Sequence, residues 1–322
     1  MLRDQSRRLI HYLRVSVTDR CNHRCRYCLP AAGARLLPHE EILRYEEILA
    51  FAAVAAREGI DKLRVTGGEP LLRRGIVSFM ERLVATPGLD DVSMTTNGTL
   101  LPRFAAELRA AGLKRINIGI PSLHPDTYRG LTRGGSLADA TAGLESALAA
   151  GFSPVKVNVV VLRAISDDPA PYLELTRRLP VQVRFIEYMP IGPVPSEQWF
   201  VSAAEFESRL AAYGPFEPAG EAGGGRPGAR DRKSGAPGRS AGLGGMTEHF
   251  CDRCNRLRLT ADGRLRLCLF GQQEIDLKPA LRPRVDEAAL AALLGEAVAA
   301  KPKSCLPDHG LVGGRRMSQI GG

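Results

Sequence analysis

The chain of 322 residues has no uninterrupted apolar run approaching the roughly 18 residues that a membrane-spanning helix needs. Its alanine-rich stretch Phe51–Ala56 is ended by Arg57, so a membrane anchor is not expected. The opening Met1-Leu2-Arg3-Asp4-Gln5-Ser6-Arg7-Arg8 lacks the apolar segment and small-residue cleavage site of a secretory leader. The cytoplasm is therefore the expected compartment. A third lack is more informative. The seven cysteines fall at 21, 25, 28, 251, 254, 268 and 305, two tight triplets and one outlier, and neither triplet has a fourth member. In a reducing compartment such groups point to metal or cluster ligands before disulfides. Three thiolates are one short of the four that close a structural zinc site or fully ligate an iron–sulfur cluster.

What the chain does have is enough apolar residue, 44%, for a sizeable core in one large domain or one domain plus an appendage. Lysine and arginine number 44 against 35 acids, a formal charge of +9. That excess fits a solvated basic surface, or a polyanionic partner such as nucleic acid or a phosphorylated small molecule.

From Tyr12 to Glu187, short β-branched runs alternate with amphipathic patterns. Residues 13–17, 62–66, 92–96, 115–120, 155–161 and 181–186 read as strands. Residues 40–58, 75–85, 102–111, 137–150 and 169–178 read as helices, with Gly112 and Gly151 where C-terminal caps belong. Alternation of this kind implies a parallel sheet with helical crossovers, wound open or closed toward a barrel. In either, ligands collect at the carboxyl ends of the strands. The reading divides the chain into residues 1–190 and a C-terminal region 191–322. Within the latter, the glycine-rich 217–245 has no apolar periodicity and is expected to be disordered.

The first triplet, Cys21-Asn22-His23-Arg24-Cys25-Arg26-Tyr27-Cys28, directly follows the first strand. Three thiolates on a four-iron cube leave one iron open for a chelating cosubstrate; zinc with His23 as fourth ligand is the alternative. Gly67-Gly68-Glu69-Pro70 follows the second strand, where glycines let backbone approach a ligand closely. The second triplet is Cys251-x2-Cys254-x13-Cys268, its last member returning from a hairpin around Asp262-Gly263. Here the alternative is zinc with His249 or Cys305. Arg256, Arg258, Arg264 and Arg266 crowd this triplet and favour an anionic ligand. Arg14, Arg64 and Lys156 lie on or beside strands, where an inward charge needs either a triphosphate or a neighbouring acid.

The first triplet, with Tyr27 before its last cysteine, resembles the signature of the radical S-adenosylmethionine enzymes. Several further features make the chain similar to the GTP 3′,8-cyclase family over nearly its whole length. They are Leu13-Arg14-Val15-Ser16-Val17-Thr18-Asp19-Arg20, Thr95-Thr96-Asn97-Gly98, Glu187-Tyr188-Met189-Pro190, the Arg-rich second triplet and the Gly-Gly terminus.

The resemblance implies an α/β fold: an incomplete (β/α)6 TIM-like barrel with a C-terminal extension carrying a second cluster. It implies two [4Fe-4S] clusters, on Cys21, Cys25 and Cys28 and on Cys251, Cys254 and Cys268. S-adenosylmethionine would meet Tyr27, Gly68, Gly119 and Met189. GTP would meet Arg14, Arg64, Thr95, Lys156 and the run Arg256-Leu257-Arg258. Arg256, Arg258, Gly321 and Gly322 would serve catalysis, the tail entering the pocket between the clusters. The implied reaction opens molybdenum cofactor biosynthesis: a 5′-deoxyadenosyl radical takes the ribose 3′ hydrogen and the carbon radical attacks guanine C8. Implied partners are a flavodoxin- or ferredoxin-type electron donor and a downstream cyclic pyranopterin monophosphate synthase. Neither nucleic acid nor membrane is expected, and the sequence admits a homodimer.

Two departures stand out. The family's Asn-Val-Ser-Leu-Asp is Asn117-Ile118-Gly119-Ile120-Pro121 here, removing a hydroxyl and a carboxylate near the cosubstrate. The family's Gly-Phe-Ile-Ser-Pro strand before the second triplet is replaced by the glycine-rich stretch. Two rival readings are a peptide-modifying enzyme of the same superfamily and a basic zinc protein that binds nucleic acid.

Overall fold

Alternating side chains build the molecule from its sheet outward. In β5 (Val155–Val161) and β6 (Val181–Glu187), every second residue is fully buried and those between are partly open. The buried set, such as Val157, Val159, Val183 and Phe185, faces the helices, because successive strand residues point to opposite faces. In β1 (Tyr12–Ser16), β2 (Lys62–Thr66), β3 (Asp91–Thr96) and β4 (Arg115–Gly119), residues on both faces of the sheet are largely buried. The computed structural model describes residues 1–33, 35–191, 197–214, 237–243, 246–247, 250–304 and 315–321.

The crossovers are α1 (Tyr45–Arg57), α2 (Ile76–Val84), α3 (Leu101–Ala110), α4 (Pro125–Thr132) with α5 (Leu137–Ala149), and α6 (Ala170–Arg178). All six strands pair in parallel in chain order, β1 to β6. After α7 (Ala203–Ala211), β7 (Arg239–Leu243) adds in parallel to the β6 edge. The chain then returns to the opposite edge, where β8 (Arg256–Leu259) lies parallel to β1. Next come β9 (Arg264–Arg266) and β10 (Glu274–Asp276), both antiparallel, with α8 (Lys278–Leu281) and α9 (Glu287–Ala299) behind. The order β10-β9-β8-β1-β2-β3-β4-β5-β6-β7 makes one sheet of ten strands. The six-stranded core matches the expected partial barrel, and the C-terminal extension lengthens it at both edges.

The expected helix over 40–58 is broken. Residues 39–41 form a single 3₁₀ turn and α1 starts at Tyr45. The buried Glu47 carboxylate causes the break: it accepts from the Arg44 N–H at 2.6 Å and from Arg282 Nε at 2.6 Å, fixing Arg44 in an extended cap. α4 is an addition that Pro125 at its first turn announces. The expectation of disorder over 217–245 fails at 237–243, which hold β7; the other residues of that stretch lie outside the described set. The glycines themselves explain this. A Cβ on Gly238 would stand 2.6 Å from the Val181 carbonyl oxygen, so only glycine lets the chain come against the start of β6. No helix among the described residues is long and apolar enough to cross a membrane.

Candidate functional site

The sheet face turned away from the helices is polar, and its residues line up by register. Arg258 of β8 pairs with Arg14, Arg14 with Arg64, and Arg64 with Ser93. One step along, Thr95 pairs with Asn117 and Asn117 with Lys156. Beyond that, Gly119 pairs with Asn158, and Asn158 with Arg184. Three cross-strand rows thus carry five of the chain's cations, Arg258, Arg14, Arg64, Lys156 and Arg184, into the concave side of a curled sheet. A cavity of about 300 Å³ opens there.

The cavity lining includes Tyr27, Gly119, Tyr188 and Met189, the thiols Cys251, Cys254 and Cys268 with Lys301, and Arg14, Arg64, Arg184, Arg256 and Arg258. Burial and mutual repulsion hold Arg14, Arg184, Arg256, Arg258 and Lys156 below their ordinary pKa values. Arg258 is lowered to about 10 by burial and Arg256, Arg184 to about 9 by burial and Arg64, and Lys156 to about 7 by burial, Arg184, Arg64 and Arg115. Arg14 is lowered by burial and Arg258, and Arg256 by burial. Among the described residues no carboxylate pairs with Arg64, Arg184, Arg256, Arg258 or Lys156. Arg184 is held instead by amide oxygens: its Nη2 donates to Asn117 Oδ1 at 2.7 Å and Asn158 Oδ1 at 2.6 Å. Thr95 Oγ1 and Arg256 Nε are buried with no hydrogen-bond partner among the described residues, and both residues line the cavity. A buried polar atom without a partner is costly, so the site is built for an anionic, hydrogen-bonding ligand.

The first triplet sits on the loop after β1, fastened to α4. Arg24 N donates to Thr132 O and Arg26 N to Leu131 O, and Arg133 Nη1 donates to the carbonyls of Arg24 and Leu29 at 2.9 and 2.6 Å. Cys21, Cys25 and Cys28 are free thiols. Burial raises all three, Cys21 to about 12 and Cys25 to about 11, and the neighbouring cysteines add to the shift of Cys28. Thiols this resistant to ionisation become thiolates when a cationic metal group binds them. The second triplet differs. Burial acts to raise Cys254, but Lys301, Arg256 and Arg258 outweigh it and hold that thiol below its ordinary value. Among the described residues no three His, Cys, Asp or Glu side chains converge on a single-ion site. The second triplet lines the cavity and the first flanks the cavity residue Tyr27; each is a soft, three-thiol donor set, which fits a polynuclear iron–sulfur cluster whose thiolates bind different irons.

Gly67 and Gly68 make close contacts within the chain itself. A Cβ on Gly68 would lie 2.2 Å from the Arg20 carbonyl oxygen, and Gly68 N donates to Thr18 O at 2.7 Å. The pair therefore presses the loop after β2 onto the segment leading into Cys21, and Gly68 does not line the cavity. Glu69 follows, fully buried and raised to about 7 by burial, its carboxylate accepting from Asn97 N, Thr96 Oγ1 and Leu71 N. Gly119 does line the cavity, and its missing side chain leaves open space: a Cβ would meet only Thr96 O, at 3.8 Å.

Other expected residues fall elsewhere. Leu257 is fully buried in the apolar core on the opposite face, so its side chain does not reach the cavity. Lys156 is not on the cavity lining, although its charge is felt by the arginine group. Arg264 pairs with Asp276 at 3.1 Å, and Arg266 pairs with Glu274. These two therefore brace the β9–β10 hairpin rather than the triplet. The Asp262-Gly263 turn is as expected, with Gly263 at φ +82°. His249, Cys305 and Gly322 lie outside the described residues. Arg184 was missed, because one arginine in a valine-rich strand gives no sign of its neighbours.

The C-terminal segment completes the cavity wall. Met317 lines it, and the Ser318 N–H bonds the Cys28 thiol. Ile320 is fully buried, and the Gly321 carbonyl accepts from Arg258 Nη1 at 2.9 Å. Gly321 holds φ +70°, with a Cβ position 2.7 Å from Thr66 Cγ2, so only glycine fits.

Two family models cover the chain, the Radical SAM superfamily over residues 15–175 and Molybdenum Cofactor Synthesis C over residues 181–306. The chain is 46% identical over 323 residues to a GTP 3′,8-cyclase of Moorella thermoacetica, covering 100% of each. It is 48% identical over 327 residues to that of Pelotomaculum thermopropionicum, again covering 100% of each. Among solved structures, Streptococcus suis SuiB bound to S-adenosylmethionine aligns with TM-score 0.59 at 12% identity, over 83% of this chain and 63% of that one. Its low identity carries the fold alone. With two thiol triplets, an arginine-lined cavity and full-length relatives in agreement, the chain belongs to the GTP 3′,8-cyclase family of radical S-adenosylmethionine enzymes.

Proposed function

We propose that this chain converts GTP to (8S)-3′,8-cyclo-7,8-dihydroguanosine 5′-triphosphate, the first step of molybdenum cofactor biosynthesis, with two [4Fe-4S] clusters and S-adenosylmethionine. The observation that carries it is one cavity lined by the thiol triplet Cys251, Cys254 and Cys268, by Tyr27 and Met189, and by Arg64, Arg184, Arg256 and Arg258, with which no carboxylate pairs among the described residues. S-adenosylmethionine bound at the first cluster would supply the radical chemistry: removal of the ribose 3′ hydrogen and closure of that carbon on guanine C8, balanced by uptake of one electron and one proton.

The protein's own part is positioning and charge. Cys21, Cys25 and Cys28 would hold the first cluster, and Cys251, Cys254 and Cys268 the second. Arg14, Arg64, Arg184, Arg256 and Arg258 would neutralise the triphosphate, with Thr95 Oγ1 and Arg256 Nε gaining the partners they lack. Lys156 would contribute its charge from behind Asn158. Tyr27, Gly119 and Met189 would contact the cosubstrate, and Gly68 would act indirectly by shaping the loop under Cys21. Leu257 would contribute through its backbone alone. Gly321, with Gly322 after it, would place the tail against Arg258 and exclude water from the radical's path.

The reducing electron would come from a flavodoxin- or ferredoxin-type donor in the cytoplasm. A cyclic pyranopterin monophosphate synthase would consume the product. The test is anaerobic: reconstituted protein with GTP, S-adenosylmethionine and dithionite, and products separated by mass. Cyclised nucleotide together with 5′-deoxyadenosine is expected. Deoxyadenosine without any GTP-derived product would remove the substrate assignment.

A further inference from the structure

Two buried cations outside the arginine group meet the backbone of the second triplet. Lys301, 4% exposed, donates from Nζ to the carbonyls of Arg256 at 2.8 Å and Leu267 at 2.6 Å. Arg256 lies two residues after Cys254, and Leu267 immediately precedes Cys268. Arg8, 7% exposed, donates to the carbonyls of Cys251 at 2.6 Å, Lys303 at 3.0 Å and Pro302 at 2.6 Å, while Asp4 grips its Nε at 2.6 Å. All three arms of the triplet are thus held by cations, and residues 301–303 are common to both.

The two cations differ in their charge balance. Arg8 has a buried carboxylate partner in Asp4. Lys301 is bonded only to neutral carbonyls, and among the described residues no Asp or Glu pairs with it. A buried ammonium requires a counter-charge. Lys301 lines the same cavity as Cys251, Cys254 and Cys268, and its three donors exceed the two carbonyls it serves. An iron–sulfur cluster bound by three thiolates is the anion that this place offers.

We infer that Lys301 is the counter-cation of the second cluster and, with Arg8, the bracket that sets its three ligand arms. It acts through the cysteines and is a positioning residue. The electrostatic consequence is specific. Reduction adds negative charge to the cluster, so a fixed positive charge beside it favours the reduced form and raises its potential.

The inference rests on a cluster at the second triplet, which iron and sulfide analysis of the parent holoenzyme tests separately. A parent with iron for one cluster would sink that assignment rather than the role of Lys301. On a two-cluster parent, Lys301→Gln and Lys301→Arg are compared by redox titration followed by electron paramagnetic resonance, with thermal unfolding to show that each folds. Lys301→Gln should shift the second cluster to lower potential and cut GTP conversion at least tenfold, whereas Lys301→Arg should keep the parental potential. A parental potential in the glutamine variant overturns the inference. If the glutamine variant does not retain the second cluster, iron content decides between Lys301→Arg and Lys301→Met. More iron in the arginine variant supports the counter-charge, and equal loss in both overturns it.

Discussion

Gly119 is a single position at which a side chain is expected to change cosubstrate affinity. It sits at the end of β4, pairs with Asn158, and faces the cavity beside Tyr188 and Met189. A serine there would find only Thr96 O, at 3.8 Å from its Cβ, and its backbone has no positive φ to resist a side chain. Gly119→Ser should therefore fold normally and restore one hydrogen bond to the cosubstrate. A bond of this kind contributes about 0.5–1.5 kcal/mol, or roughly two- to tenfold in affinity. Titration of S-adenosylmethionine into the reconstituted variant measures it; weaker binding than the parent would show that Gly119 makes room for something else.

Among the elements, the tail is the one whose sequence least suggests its role. Residues 315–321 carry a short 3₁₀ turn and two small residues, a pattern typical of a frayed end. Its seat is nonetheless specific at both ends. Arg315 is bidentate on Asp262 at 2.9 Å for each oxygen and reaches Glu274 at 2.7 Å, tying the tail to the β8–β9 turn and to β10. At the other end Arg258 holds the Gly321 carbonyl. Asp262→Asn should loosen the first anchor and Gly321→Ala should block the second. Both variants are expected to bind GTP but to lose at least tenfold in cyclisation rate. A synthetic peptide spanning Arg315–Gly322 should restore part of the Gly321→Ala activity and less of the Asp262→Asn activity, since only the latter lacks the socket. Equal rescue would remove Asp262 from tail binding.

At the scale of the whole molecule, the concave face gathers cations, of which Arg64, Arg184, Arg256, Arg258 and Lys156 pair with no carboxylate among the described residues, and ligand binding is expected to depend on pH. Lys156 is lowered to about 7 by burial and by Arg184, Arg64, Arg115 and Lys62. In the free protein it is charged below that value and neutral above it. A bound triphosphate favours the charged form and raises the pKa again, so above about pH 7 binding must take up a proton. GTP affinity should thus be level below pH 7 and fall above it, by at most about tenfold per unit. For stability the sign is opposite. The unfolded chain keeps Lys156 protonated up to its ordinary value, so its contribution is least favourable below pH 7 and improves as pH rises from there. Calorimetric GTP titrations between pH 6 and 9 in buffers of different ionisation heat report the proton uptake, and Lys156→Met should flatten the profile. An unchanged slope in that variant would assign the proton to another cation.

The sequence by itself determined the order of β1 to β6 and their crossovers, because period-two alternation and helical period are local properties of the chain. It also marked both cysteine triplets, since thiols spaced on one turn or one hairpin are brought near one another by a few bonds of backbone. Cys251, Cys254 and Cys268 needed only the Asp262-Gly263 turn. Contacts between distant segments were decided by the tertiary structure. Arg184 became part of the cavity through its register with Asn158, and Arg264 and Arg266 were drawn away by Asp276 and Glu274 on a strand that folds back. β7 emerged from a stretch whose composition suggested disorder, because Gly238 lets it approach Val181. Lys301, an ordinary charge in the sequence, acquired its place from two carbonyls more than thirty residues away. Spacing along the chain reveals groups that turns bring together, whereas a group's charge environment exists only after the sheet has closed around it.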